Sequence, residues 1–153
     1  MEFSFDSFID GSFDYDCETK THGCIWLREE EMDIGGGKIT VADIDKLKFH
    51  PDADAVTISG LRQDTFEYFI ETYGKQLKAI RFFKNKFIED LSPLGTLPQL
   101  EYIYLSLNQR AASLWEMTNN ISLTGLCIED FSRLSSIKAV SYTHLRAHET
   151  GAY

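Results

Sequence analysis

Apolar residues recur along the middle of this chain at a fixed spacing, and the spacing itself repeats. Leu100, Ile103, Leu105 and Asn108 follow the pattern L-x-x-L-x-L-x-x-N. Leu77, Ile80, Phe82 and Asn85 write it again. Leu123, Leu126, Ile128 and Phe131 write it with Phe in the last place, and Ala53, Val56, Ile58 and Leu61 form a degenerate first copy. The copies begin at 53, 77, 100 and 123, at intervals of 24, 23 and 23 residues. Inside each copy apolar and other residues alternate with the period of two of a β-strand. Strands that recur at one interval stack on one another, because a single unit cannot bury its apolar side alone. Parallel stacking then sets equivalent positions side by side in rows across a sheet.

The segments between the strands differ. Asp64-Thr-Phe-Glu67 reads as a capping box, whose side chains satisfy free N–H groups at a helix start. Phe66, Phe69, Ile70 and Tyr73 follow at helical spacing, and Gly74 suits a C-terminal stop, so a helix is expected from about Asp64 to Tyr73. Ser92 as N-cap and Pro93 at the first helical position favour one short turn in the next unit. Leu114, Trp115 and Met117 in the third unit, and Leu134 and Ile137 in the fourth, supply apolar groups to pack between layers. Upstream, Cys24–Leu27, Lys38–Val41 and Leu47–Phe49 read as strands, with Gly35-Gly-Gly37 marking a turn. Residues 1–22 alternate Phe with Asp and Ser; Asp10-Gly11 signals a hairpin, and an irregular acidic leader is the equal alternative.

The motif and its interval resemble those of leucine-rich repeat proteins, whose period is about 20–29 residues. The run Asp90-Leu-Ser-Pro-Leu-Gly-Thr-Leu-Pro98 resembles the short repeats of bacterial internalin-like proteins. The resemblance implies an α/β solenoid, with a parallel β-sheet on the concave face and short helices on the convex face. It also implies that Asn85 and Asn108 bond neighbouring backbone as rungs of a ladder, a role Leu61 and Phe131 lack. A repeat array needs a distinct cap at its end, and residues 23–52 are assigned as a β-rich N-terminal cap. The four repeats then span 53–139, cut off in mid-repeat. Residues 140–150, Val-Ser-Tyr-Thr-His-Leu-Arg-Ala-His-Glu-Thr, resemble a translated sequencing adapter from a shotgun (metagenomic) assembly. The segment 140–153 is therefore set aside as a non-native tail that adds nothing to folding. The remainder reads as a fragment of a longer protein. Its open C-terminal end, with Leu126, Ile128, Leu134 and Ile137 uncovered, is expected to self-associate.

Charge narrows the choice of partner. The net charge of −9 is uneven: residues 1–52 hold 13 acidic against 5 basic side chains, and residues 53–139 hold 10 against 9. An acidic chain is a poor ligand for phosphate backbones, so no nucleic acid is expected. No apolar run approaches the ~20 residues of a membrane span, and the N-terminus carries acids where a signal peptide has bases. A cytoplasmic protein follows if Met1 is the true start. Three cysteines, Cys17, Cys24 and Cys127, fit reduced thiols rather than a disulfide framework.

Chemistry is sparse. Asp14, Asp16, Cys17, His22 and Cys24 lack the paired spacing of a zinc site. Asp10, Ser12, Asp14 and Asp16 alternate as in a calcium loop, but Tyr15 and Thr21 stand where Gly and Glu are needed. Gly36-Gly37-Lys38 lacks the upstream Gly and following Ser or Thr of a phosphate loop. With only His22 and His50 outside the tail, no nucleophile–base set forms, so no catalytic residue, metal or cofactor is assigned. Asn120-Ile-Ser122 is a glycosylation sequon in an expected surface loop.

The concave rows are Ala55, Ala79, Tyr102, Gly125; Thr57, Arg81, Tyr104, Cys127; Ser59, Phe83, Ser106, Glu129; and Gly60, Lys84, Leu107, Asp130. The middle repeats thus offer Arg81, Phe83, Lys84, Tyr102, Tyr104 and Leu107 as an exposed partner-binding patch, of residue types favoured at interface hot spots. Phe83 and Leu107 turning under the next loop is the alternative. The expected function is a non-enzymatic scaffold that binds an unknown protein through this face. The alternatives are the targeting arm of a larger bacterial effector enzyme, or an immunity or inhibitor protein whose acidic flank covers a basic partner.

Overall fold

The four repeated segments become four neighbouring parallel strands: β2 (Ala55–Ile58), β3 (Ala79–Phe83), β4 (Tyr102–Asn108) and β5 (Gly125–Phe131). In the computed structural model, Ala55 pairs with Ala79, Ala79 with Tyr102 and Tyr102 with Gly125. The sequence interval is therefore the register of the sheet. β1 (Ile25–Leu27) pairs with β2, and β6 (Arg146–Thr150) pairs with β5, giving a six-stranded parallel sheet in sequence order. The structure describes residues 25–27, 36–134 and 146–150; of strands β1 and β6, the backbone and Leu27 alone are described.

Neighbouring parallel strands need a crossover between them. The first is α2 (Gln63–Tyr73), close to the expected helix. Its start is held by Thr65, whose hydroxyl accepts from the Arg62 N–H at 2.9 Å. Phe66, Phe69, Ile70 and Tyr73 are its buried stripe. The Phe66 and Phe69 rings stand edge-on to Phe82 of β3, at centroid distances of 5.7 and 6.3 Å. Gly74 does not stop the helix in a left-handed conformation; its φ is −55°, and the chain tightens into a 3-10 turn, Gly74–Gln76. The glycine is there for room, since a Cβ would lie 2.9 Å from Leu97 Cδ2. The second crossover carries the short turn expected around Pro93, a 3-10 segment Ser92–Thr96, with Leu91 rather than Ser92 at the cap. The third, 109–124, contains no helix.

Val56, Ile58, Ile80, Phe82, Ile103, Leu105, Leu126 and Ile128 point to the crossover side and share one core with α2, Leu94, Leu97, Trp115 and Met117. Fully burying an aliphatic or aromatic side chain is worth about 1.5–3 kcal/mol, so these rows anchor the fold.

Three expectations are corrected. Lys38–Val41 and Leu47–Phe49 are not strands: Val41–Ile44 forms a short helix, α1, and Asp45–Phe49 a 3-10 turn. The local signal that decides is a Thr40/Asp43 capping box, in which Thr40 N–H donates to Asp43 at 2.9 Å and Asp43 N–H to the Thr40 hydroxyl at 3.2 Å. Second, Arg146–Thr150 of the supposed inert tail pairs with β5 over five residues. A strand edge offers backbone N–H and C=O groups to any extended segment, whatever its side chains. Third, Leu126, Ile128 and Leu134, expected to be uncovered at an open end, are buried; Ile137 lies outside the described residues. The Asp10-Gly11 hairpin and the metal readings at 10–24 lie outside them as well.

Candidate functional site

Where each strand ends, the backbone takes one shape. Gly60, Lys84, Leu107 and Asp130 have φ of 81, 57, 56 and 55°, all left-handed, and they are equivalent positions of the four units. The turn places the next residue beneath the sheet. There Asn85 donates to Ile58 O at 2.9 Å and accepts from Leu61 N–H at 2.9 Å. Asn108 donates to Ile88 O at 2.8 Å and accepts from the N–H groups of Arg110 and Ala111 at 2.9 and 2.7 Å. Both amides are buried, and they satisfy backbone groups of their own and the preceding unit.

Asn120 is a third such residue, and the sequence reading missed it. Its side chain is 1% exposed, donates to Leu94 O at 2.9 Å and Leu97 O at 3.0 Å, and accepts from Trp115 Nε1 at 2.9 Å. The surface-loop assignment is therefore wrong. As a sequon asparagine it has no free amide to offer. The two carbonyls lie in the 3-10 turn Ser92–Thr96 and just after it, and the helix-free crossover above supplies their side-chain donor.

The helix-free face of the sheet carries the candidate patch. Among its six residues Lys84 is exposed, while Phe83, Tyr102 and Leu107 are half-buried. Arg81 and Tyr104, expected to leave the core for solvent, are each only 8% exposed. Arg81 Nε donates to the Thr57 hydroxyl at 3.1 Å, along the row fixed by the β2–β3 register. The Tyr104 hydroxyl donates to Glu129 at 2.7 Å. The Cys127 thiol sits 3.9 Å from the other carboxylate oxygen of Glu129. Burial pushes the Cys127 thiol up to about 12, with the Glu129 charge adding to it. Burial also raises the Tyr104 phenol well above its ordinary value, again with Glu129 adding. Both groups stay neutral at physiological pH, so neither is poised as a nucleophile. Ala55, Ala79, Tyr104 and Cys127, with Tyr102 against them, form a small second core on this face. Arg81, Phe83 and Tyr102 each make a further interaction. The Lys84 ammonium lies 5.2 Å from the Phe83 ring centroid.

Glu129 was not among the expected site residues. Its signal was present in the rows, since Tyr104 pairs with Cys127 and Ser106 with Glu129, which sets the carboxylate one step diagonally from the phenol. Among the described residues no group of three His, Cys, Asp or Glu side chains could hold a metal ion. Among the same residues no helix is long and apolar enough to cross a membrane. No family model, curated protein or solved structure matches this chain.

Proposed function

We propose that the chain is a leucine-rich repeat solenoid that acts as a non-enzymatic scaffold, binding a protein partner through the helix-free face of β3 and β4. The observation that carries this reading is the register. It aligns Arg81 with Tyr104, and Phe83 with Ser106, on adjacent parallel strands, with Lys84 and Leu107 at equivalent turns. An arrangement of aromatic and cationic side chains on a rigid sheet suits an interface, where such residues act as anchors. The burial of Arg81 and Tyr104 moves the anchor role to Tyr102, Phe83 and Lys84, at the two ends of these strands.

A partner captured by affinity pull-down tests this. Truncating a hot-spot anchor costs about 2 kcal/mol, roughly thirtyfold in affinity. Tyr102→Ala and Lys84→Glu are expected to weaken binding by that order while leaving the urea midpoint nearly unchanged. Glu71→Ala, on the exposed side of α2, is expected to bind as the parent does. Loss of the partner by Glu71→Ala alone would move the interface to the crossover side.

A further inference from the structure

The loops that leave the strands carry charge of one sign. In each unit the ladder position, 61, 85, 108 or 131, is followed by two residues on the loop. Across the four units those places hold Arg62, Lys86, Arg110 and Arg133 and no acid, in a chain with 24 acidic against 15 basic side chains. The register brings the four loops to one edge of the sheet, at roughly the 4.8 Å spacing of neighbouring strands. Gln109 N–H donates to Lys86 O at 3.0 Å, which joins two of them directly. Arg62, Arg110 and Arg133 are exposed, and Lys84 stands exposed at the turn just before. Lys86 is half-buried and makes a further interaction. The described ion pairs lie elsewhere, between Lys46 and Asp43 and between Lys48 and Asp45. Among the described residues, no acid pairs with these three arginines.

Phe87 gives this edge a fixed centre. A Cβ at Gly37 would lie 2.8 Å from Phe87 Cδ2 and 3.2 Å from Arg62 Cγ. Gly37 has a φ of 72°, so the position calls for glycine in room and in backbone shape alike. The Arg110 guanidinium lies over the same ring, 4.8 Å from its centroid. Arg62 and Arg110 thus converge on one aromatic side chain. A guanidinium laid on a ring keeps its N–H edge free for a planar acceptor. A carboxylate fits that fork with two parallel hydrogen bonds. A long polyanion would carry its other charges across an acidic surface, whereas a short carboxylate segment need not. We infer that this edge docks an acidic segment of a protein partner, with its carboxylates on Arg62 and Arg110 and with Lys84 and Arg133 adding to the attraction. The inference rests on the recognition reading and names the chemistry of the partner.

The probe is a fluorescein-labelled oligoglutamate peptide, titrated with the full chain at low ionic strength and followed by anisotropy. The parent is expected to bind it, more weakly as salt rises, and to bind an oligothymidylate of the same length less well. Arg62→Gln with Arg110→Gln is expected to weaken peptide binding roughly tenfold, the loss of two exposed charge pairs, at an unchanged urea midpoint. Arg110→Lys keeps the charge but loses the flat fork, and should still weaken binding. Lys75→Gln with Lys78→Gln removes the same charge where the chain enters β3, from two exposed side chains, and should bind as the parent does. No binding by the parent, equal loss in the two double variants, or tighter binding of the oligothymidylate overturns the inference. The recognition reading fails separately: a captured partner that is indifferent to Tyr102→Ala yet lost with Arg62→Gln and Arg110→Gln sinks the β3–β4 face and leaves the edge standing.

Discussion

Asn120→Ala is expected to be among the most damaging single substitutions in this fold. The side chain makes three buried hydrogen bonds, two as a donor to Leu94 O and Leu97 O and one as an acceptor from Trp115 Nε1. Alanine leaves Leu94 O and Trp115 Nε1 behind, while Leu97 O keeps its bond from Leu100 N–H at 3.4 Å. An orphaned buried polar group costs about 1–3 kcal/mol. Two such groups, each in the lower half of that range, give about 3 kcal/mol, before any cavity is counted. Water entering the vacated space caps the loss near that figure. With a urea slope of about 1–2 kcal/mol/M for a domain of this size, the midpoint should fall by roughly 2 M. Trp115 reports the transition by its own fluorescence. Asn120→Asp keeps the acceptor for Trp115 but faces a carboxylate toward two carbonyl oxygens, so it should be at least as damaging at neutral pH. Asn108→Ala, which removes a buried amide with four hydrogen bonds, should fall in the same range. A midpoint shift below about 0.5 M for Asn120→Ala would refute the assignment of Asn120 as a structural rung.

Gly95→Ala should destabilise by about 1–3 kcal/mol, since its Cβ would lie 2.9 Å from the Glu116 carbonyl oxygen, and backbone cannot swing aside as a side chain can. Calorimetry of that single variant checks it. Asp45 accepts hydroxyl bonds from Tyr68 and Tyr73 at 2.6 Å each, and these, with Lys48, hold its carboxyl below the ordinary 3.8. A depressed folded value means that its contribution is complete above about pH 4 and is lost as pH falls below it. Asp45→Asn should therefore flatten the acid side of the stability profile between about pH 5 and 2; an unchanged slope would remove Asp45 from the account. A chain ending at residue 139 lacks β6 and should show a lower urea midpoint and concentration-dependent association, because the β5 edge is then unpaired. Sedimentation as a monomer at high concentration would contradict this.

Much of the sheet was legible because two periods agree. The two-residue alternation names each strand and its apolar side, and the 23–24-residue interval fixes the register without reference to any loop. α2 was legible for the same reason, from Phe66, Phe69, Ile70 and Tyr73. The N-terminal region misled because Leu47-Lys-Phe49 alternates like a strand, yet Leu47 is buried while Phe49 is 81% exposed in a 3-10 turn. Thr40-x-x-Asp43 was the stronger local signal there. Asn120 misled because Thr118-Asn-Asn-Ile-Ser122 is polar, and polarity does not tell a solvent-facing amide from one that serves buried carbonyls. The candidate patch was half legible. Alternation shows which side chains leave the apolar core, but says nothing about whether a second layer meets them. Arg81 and Tyr104 were placed on the correct face and given the wrong exposure.

The row of left-handed residues joins the two halves of that account. All four units demand φ near +55 to +80° where the strand ends, and glycine accepts this at no steric cost, as it does at Gly60. The other units place Lys84, Leu107 and Asp130 there, with a penalty of roughly 1–2 kcal/mol for a residue with a Cβ. Asp tolerates the conformation better than Lys or Leu. Lys84 is the clean case, because it is exposed while Leu107 is half-buried. Lys84→Ala keeps the Cβ and its strain, and removes only the charged arm. Lys84→Gly removes both, at an entropic cost of about 0.5–1 kcal/mol from the freer unfolded chain. Glycine should therefore be more stable than alanine at this position by roughly 0.5–1 kcal/mol, the reverse of their order in most strands and helices, read as the difference between two urea midpoints. Both substitutions remove the ammonium from the rim of the helix-free face, so both should weaken a partner that uses it. Stability that rises while binding falls would mark Lys84 as a position where strain is kept for the sake of a side chain. If alanine proves the more stable of the two, the turn is not strained, and the left-handed row says nothing about function.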